Sequence, residues 1–151
     1  MIVPHDKGTG PGNVVTLHAT AVSLGERAVV FIGPSGSGKS SMALQLLALG
    51  AQLVADDRLR ITVQGHDLTA HAPEHLAGHI EARGIGILRA DYVAQAKIAL
   101  IVDLEHVEKD RLPPPRSFPI LGVEIPLLRS VEAPFFPAAI IQFLKDGRAD
   151  I

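Results

Sequence analysis

The sequence predicts an α/β domain built around a P-loop and a mixed central sheet, and three observations carry that expectation. The run Gly33-Pro34-Ser35-Gly36-Ser37-Gly38-Lys39-Ser40 fits the pattern G-x-x-x-x-G-K-[ST]. It follows the apolar stretch Ala28-Val29-Val30-Phe31-Ile32 and precedes the strongly helix-forming Ser41-Met42-Ala43-Leu44-Gln45-Leu46-Leu47-Ala48-Leu49, so strand, loop and helix arrive in the required order. Further along, segments with strand character outnumber helical ones and several are hairpin-connected, which favours a mixed sheet over a purely doubly wound one.

The elements read in order as follows. Residues 1–12 are Gly, Pro and polar in character and form a flexible arm, and residues 13–151 form one domain. Val14 to Val22 is β-branched and partly alternating, a strand handed to the P-loop strand through a Gly25-Glu26-Arg27 hairpin turn. Gln52-Leu53-Val54-Ala55 is a short strand ending in Asp56-Asp57, and Arg58 to Val63 alternates as a half-exposed antiparallel strand does. Pro73 to about Ile80 reads as a short helix, and Arg83-Gly84-Ile85-Gly86-Ile87 as a backbone-shaped loop. Lys97 to Leu104 is the most hydrophobic strand and is expected at the centre of the sheet. Arg111 to Arg116 holds three consecutive prolines and is an exposed loop; Val123 to Leu127 is a strand placed at an edge by Pro126; Pro137 to Leu144 closes the domain as a helix.

Composition narrows the function classes. The chain has 151 residues, 47% hydrophobic and 20% charged, which is ordinary globular chemistry. A net charge of −2 with no long basic run gives no support for a nucleic-acid or anionic-membrane partner. There is no cysteine, so disulfides, thiol catalysis and thiolate metal sites are excluded. No apolar run approaches the roughly 20 residues of a membrane span, and Met1 to Lys7 lacks the apolar core of a signal peptide, so the expected address is the cytoplasm.

The P-loop fixes the donor chemistry. Gly33, Gly36 and Gly38 let successive backbone N–H groups of Gly33 to Ser40 turn inward on one anion, Lys39 reaches β- and γ-phosphates, and the Ser40 hydroxyl can ligate Mg²⁺. The following helix adds its N-terminal dipole. A P-loop also needs an acidic partner for the metal, and two candidates exist. Asp103 ends the long apolar run Ile98 to Val102. Asp56-Asp57 ends a weaker run but offers two adjacent carboxylates that point different ways, one free to face a metal and the other an acceptor hydroxyl.

Several stretches together resemble one family. His18 ahead of the P-loop hairpin, the P-loop itself, Leu53-Val54-Ala55-Asp56-Asp57, Ala72-Pro73, and Ile80-Glu81-Ala82-Arg83-Gly84-Ile85-Gly86-Ile87 are similar to the catalytic domain of HPr kinase/phosphorylase, over residues 14–128. The Glu-x-Arg-Gly-x-Gly-Ile run is the signature of that family. The resemblance implies a P-loop kinase-like fold and a bacterial, ATP- and Mg²⁺-dependent protein-serine kinase acting on HPr or an HPr-like carrier of the phosphotransferase system. It implies that Asp57 takes the serine proton, that Ser40 and Glu81 ligate Mg²⁺ with Asp56 supporting the site, that Lys39 binds phosphate, that His18 lies near the acceptor, and that Arg111 is an active-site arginine on a loop shorter here. It also implies phosphorolysis of phosphoserine-HPr and a hexameric assembly. Two features depart from the family: no N-terminal domain precedes the catalytic one, as in short proteobacterial versions, and the Gly-Arg-Asn stretch tied to the phosphorylase direction is replaced by Leu127 to Pro134, with Arg129 as its nearest substitute.

Other features have plainer readings. His71, His75 and His79 recur every four residues, but Pro73 interrupts the helix that would align them, which leaves a polar helix face. Arg83 reads equally as a phosphate contact or an ion-pair partner of Glu81. Phe135-Phe136-Pro137 reads as core or as a subunit contact. A nucleotide-sensing module with little turnover and a small-molecule P-loop kinase are the alternatives; no Asn-Lys-x-Asp motif suggests a GTPase switch, and no Leu-Ser-Gly-Gly-Gln an ABC ATPase.

Overall fold

The computed structural model describes residues 13–149; the expected N-terminal arm lies outside them. The sheet is organised by two long apolar strands, β3 (Arg27–Ile32) and β9 (Ala96–Val107), paired in parallel from Arg27↔Lys97 to Ile32↔Asp103. Both are buried on two faces, which is why they read as continuous hydrophobic runs. Ala28, Val30 and Ile32 point into one core with Leu17, Leu59, Ile61 and Ile101, while Val29 and Phe31 point into the other with Leu46, Leu53, Leu100 and Val102.

Around this pair the sheet curls. One path runs β1 (Val14–Leu17), β5 (Leu59–Gln64), β6 (Asp67–His71), β9, β3, β2 (Thr20–Leu24), β4 (Gln52–Ala55). The edge of β9 opposite β3 is shared: β6 pairs with its start at Ala96 and Lys97, and β11 (Val123–Ser130) runs parallel to it from Ile101 onward. β10 (Ser117–Ile120) is a hairpin partner of β11, and β7 (His79–Ala82) with β8 (Gly86–Arg89) forms a separate two-stranded ribbon. Helices α1 (Lys39–Ala48) and α2 (Phe136–Asp146) cover one face. The Arg27 guanidinium donates to the Leu144 carbonyl at 2.7 Å, closing the last turn of α2 on the strand it covers. Among the described residues no helix is long and apolar enough to cross a membrane.

Four expectations change. The first strand is two: β1 pairs with β5, β2 pairs with β3 and β4, and the chain breaks at His18-Ala19 to switch partners. The helix expected at Pro73 to Ile80 is one 3-10 turn, Glu74–Leu76, because His79 and Ile80 are drawn into the ribbon with β8; the three histidines share no face. The ribbon also takes in Gly86 and Ile87, so the glycine-rich loop is a hairpin turn. β11 is not an edge strand. The Leu127 N–H donates to Arg116, so that of residue 126 would face away from β10, and pairing with β9 starts only at Leu127; Pro126 therefore removes no ladder bond. Phe136 is buried and Phe135 is 62% exposed, which splits the aromatic pair between core and surface.

Candidate active site

The P-loop leaves β3 at Gly33, whose φ of 148° lies outside the range L side chains favour. A Cβ there would stand 2.6 Å from Ser37 Oγ, so the tight turn requires glycine. Gly38, at φ 97°, is the N-cap of α1 and supplies no side chain, and the first turn of the helix carries no acidic residue. The free N–H groups of that turn therefore face a cleft of about 470 Å³ lined by Ser35, Gly36, Gly38, Lys39, Ser40 and, across it, Asp57 and Glu81.

Inside the loop, Lys39 Nζ donates to the carbonyls of Gly33 at 2.7 Å and Pro34 at 3.1 Å. The residue is buried. Burial pulls its pKa below the ordinary lysine value, and the charges of Asp57 and Asp56 pull the other way.

β4 ends in the two carboxylates, and they diverge. Asp56 Oδ1 accepts from Ser40 Oγ at 2.6 Å and from Thr20 Oγ1 at 3.0 Å, while Oδ2 accepts from the Glu81 N–H at 3.0 Å. Asp56 thus stands behind Ser40 and does not itself line the cleft; it ties α1, β2 and β7 together at one carboxylate. Asp57 has φ 72°, a conformation that Asp adopts more readily than most residues. Its carboxylate lines the cleft, and Oδ1 lies 2.7 Å from His18 Nε2. His18 stands at the break between β1 and β2, outside either strand.

Thr20 is the residue that sequence reasoning missed. It is fully buried, it accepts the Asp57 N–H at 3.2 Å and donates to Asp56 Oδ1, and so it sets both carboxylates. The only signal was a hydroxyl at the head of a largely apolar strand, which carries a second one at Ser23. Thr20→Val keeps the shape and strands two polar groups, so urea unfolding is expected to show a loss of about 1–3 kcal/mol, largely recovered in Thr20→Ser.

The donor set is all oxygen: a hydroxyl on Ser40, the Asp56 carboxylate behind it, and the Glu81 carboxylate lining the same cleft. Hard oxygen ligands of this kind fit Mg²⁺, and glycines that open onto space at Gly36 and Gly38 fit a polyphosphate against the loop.

Not every expected residue joins. Asp103 pairs in register with Ile32 at the start of the P-loop, but its carboxylate accepts the Glu105 N–H at 2.8 Å and meets His106 Nδ1 at 2.7 Å. Asp56, not Asp103, meets Ser40. Arg111 is exposed in the segment between β9 and β10 and does not line the cleft. The base of that segment is clamped by Arg116, whose guanidinium bonds to Glu108 and holds its carboxyl below the usual range. Arg83 lines the cleft beside Ile85, and no ion pair joins it to Glu81 among the described residues.

With this geometry in place, comparison with known proteins decides the family. The model described as HPr Serine kinase C-terminal domain matches residues 12–129. The chain belongs to that family. Proteins named HPr kinase/phosphorylase are similar to it: that of Caldanaerobacter subterraneus is 37% identical over 105 residues, 64% of this chain and 34% of the relative. That of Chlorobium phaeobacteroides is 33% identical over 125 residues, covering 74% and 37%. That of Caldicellulosiruptor bescii is 36% identical over 127 residues, covering 76% and 41%. The chain therefore spans well under half the length of these relatives. Among solved structures, that of the Hpr(Ser) kinase/phosphatase from Coxiella burnetii superposes with a TM-score of 0.70 at 26% identity, over 85% of this chain and 87% of that one. The mixed α/β architecture with its curled sheet is thus the fold of the HPr kinases. The match ends at Arg129, before α2, which packs on α1.

Proposed function

We propose that this chain is an Mg-ATP-dependent protein-serine kinase whose acceptor is HPr or an HPr-like phosphocarrier of the phosphotransferase system, working in the cytoplasm. Family membership and the names carried by its relatives support the reading. The single observation that carries it is Asp57: its carboxylate lines the cleft of Lys39 and Ser40 while His18 holds it from the opposite side at 2.7 Å. A sensing module has no need of a carboxylate oriented on the far side of the phosphate loop.

When bound, Mg-ATP supplies the γ-phosphoryl group and a Lewis acid that spreads its charge. Glycine N–H groups from Gly33 to Gly38 and the Lys39 ammonium hold the phosphates and offset charge that builds on them. Ser40 and Glu81 hold the cation, with Asp56 fixing the Ser40 hydroxyl. Asp57 accepts the proton of the attacking serine hydroxyl, and His18 orients the carboxylate that accepts it. Arg83, at the rim of the cleft, adds positive charge; Arg111 serves the site only if its loop folds over the cleft. Phosphorolysis of phosphoserine-HPr would return the proton along the same path. Arg129 lies in β11 and does not line the cleft, so the forward reaction is expected to dominate. Homo-oligomerisation, as a hexamer, belongs to the same reading.

The test is transfer itself. Purified protein with Mg²⁺ and γ-labelled ATP is expected to label a serine of HPr, with EDTA abolishing the label. ATP binding without labelling of any HPr-like acceptor would sink the kinase reading in favour of a sensing module.

A further inference from the structure

On the other side of the Asp57–His18 pair lies a second cavity, of about 290 Å³, lined by Thr16, His18, Arg58, Arg60, Pro73 and His75. It follows from the sheet register. Thr16 of β1 stands opposite Arg60 of β5, which stands opposite His71 of β6, and Arg58 is two residues from Arg60 on the same outward face. The 3-10 turn after β6 closes the cavity with His75. Two guanidiniums and two imidazoles thus line one cavity, and among the described residues no carboxylate lines it with them; Asp57, beside it, is held by His18. Among the described residues neither Arg58 nor Arg60 has an ion-pair partner. The positive field is felt locally: half-buried His71 is held below its usual pKa by burial and then by the charge of Arg60. Glu74 is exposed at the head of the turn and does not line the cavity.

Like charges brought together without counter-charge cost free energy that an anion recovers. Guanidiniums are also the side chains whose planar forks match an oxyanion in two bonds. A cavity of this size takes one phosphate or carboxylate group, not a nucleotide. We propose that Arg58, Arg60 and His75 form a second oxyanion subsite, distinct from the P-loop and placed on the acceptor side of Asp57. Its position next to the acceptor hydroxyl rests on the kinase reading above; the anion site itself does not. The group that enters it is either an acidic or phosphorylated side chain of the acceptor protein near the target serine, or free inorganic phosphate.

The full chain is saturated with Mg²⁺ and a non-hydrolysable ATP analogue, which occupies the P-loop, and inorganic phosphate is titrated at fixed pH while the His75 ring resonances are followed by NMR. A saturable shift of His75, weakened about tenfold or more in each of Arg58→Gln and Arg60→Gln, supports the subsite, each lost charge-assisted bond being worth about that factor. Both side chains are exposed, so the variants are expected to fold, and their affinity for the nucleotide analogue is expected to stay within about twofold of the parent. The source is separated by transfer kinetics: a raised KM for HPr in the variants assigns the subsite to the acceptor, whereas competition by free phosphate with HPr KM unchanged assigns it to the free anion. No saturable shift, or one that the variants share with the parent, overturns the proposal whether or not the protein proves to be a kinase.

Discussion

Asp57→Asn is expected to abolish phosphoryl transfer while leaving nucleotide binding intact. The amide keeps the shape of the side chain, and Asn tolerates the left-handed backbone at φ 72° as well as Asp does, so the turn after β4 should survive. What it loses, on the proposed reading, is the proton acceptor in the cleft. General-base catalysis contributes about 10²- to 10⁴-fold, and a loss in that range is the expected result. Affinity for Mg-ATP should stay close to that of the parent, because Lys39, Ser40 and the glycine N–H groups are untouched and one acidic repulsion is removed. His18→Ala should cost less than Asp57→Asn, since it removes the group that orients the base and leaves the base in place. A variant Asp57→Asn that transferred phosphate at more than a tenth of the parental rate would place the acceptor chemistry elsewhere. Asp56→Asn distinguishes the two carboxylates. With three donors converging on Asp56, its amide leaves one donor facing another, so it should weaken both stability and Mg²⁺ dependence.

The donor side of this site was legible in the sequence because its chemistry is local. Eight consecutive residues build the phosphate loop, and the apolar runs on either side are fixed by burial in the strand and the helix that hold it. The divergence of Asp56 and Asp57 was legible for the same reason, since neighbours at a strand end must point apart. The acceptor side was not, because it depends on partner choice at long range. Nothing between Val14 and Val22 marks the break at His18-Ala19; the strand has to leave β5 and join β3, and only the curled sheet demands that. Thr20 acquires its role from residues 36 and 37 positions away, so no local pattern could reveal it. The helix expected at Pro73 failed because β8, entered through the Gly84–Gly86 turn, recruits His79 to Ala82 as a strand; tertiary pairing there overrides local preference. Pro126 misled in the opposite direction, since a proline is harmless inside a sheet wherever its missing N–H faces a side that has no partner yet.

Lys39→Met should produce the second large effect, and its cause is separable from that of Asp57→Asn. Methionine matches the length of the lysine stem and is apolar, so it fills the same buried space without the charge. The loop then loses the donor shared by the Gly33 and Pro34 carbonyls, and bound phosphates lose the one ammonium placed within the loop. Removing a single preorganised donor costs about 10²- to 10³-fold in rate, and weakened nucleotide affinity should add to that, so both binding and transfer fall where Asp57→Asn affects transfer alone. A pH signature accompanies it. The folded-state pKa of Lys39 lies below its value of 10.5 in the unfolded chain, chiefly through burial. Between those two values the unfolded chain binds more protons, so this residue makes parental stability rise with pH through that window, the gain being complete above the unfolded value. Lys39→Met lacks the group, so the difference in unfolding temperature between parent and variant should widen in the parent's favour as pH climbs toward that of the free lysine. A pH-independent difference would mean that burial does not lower the Lys39 titration in the folded chain; a variant that retained Mg-ATP affinity within twofold would mean that the ammonium is not the group that holds the phosphates, and the loop N–H groups would have to do so alone.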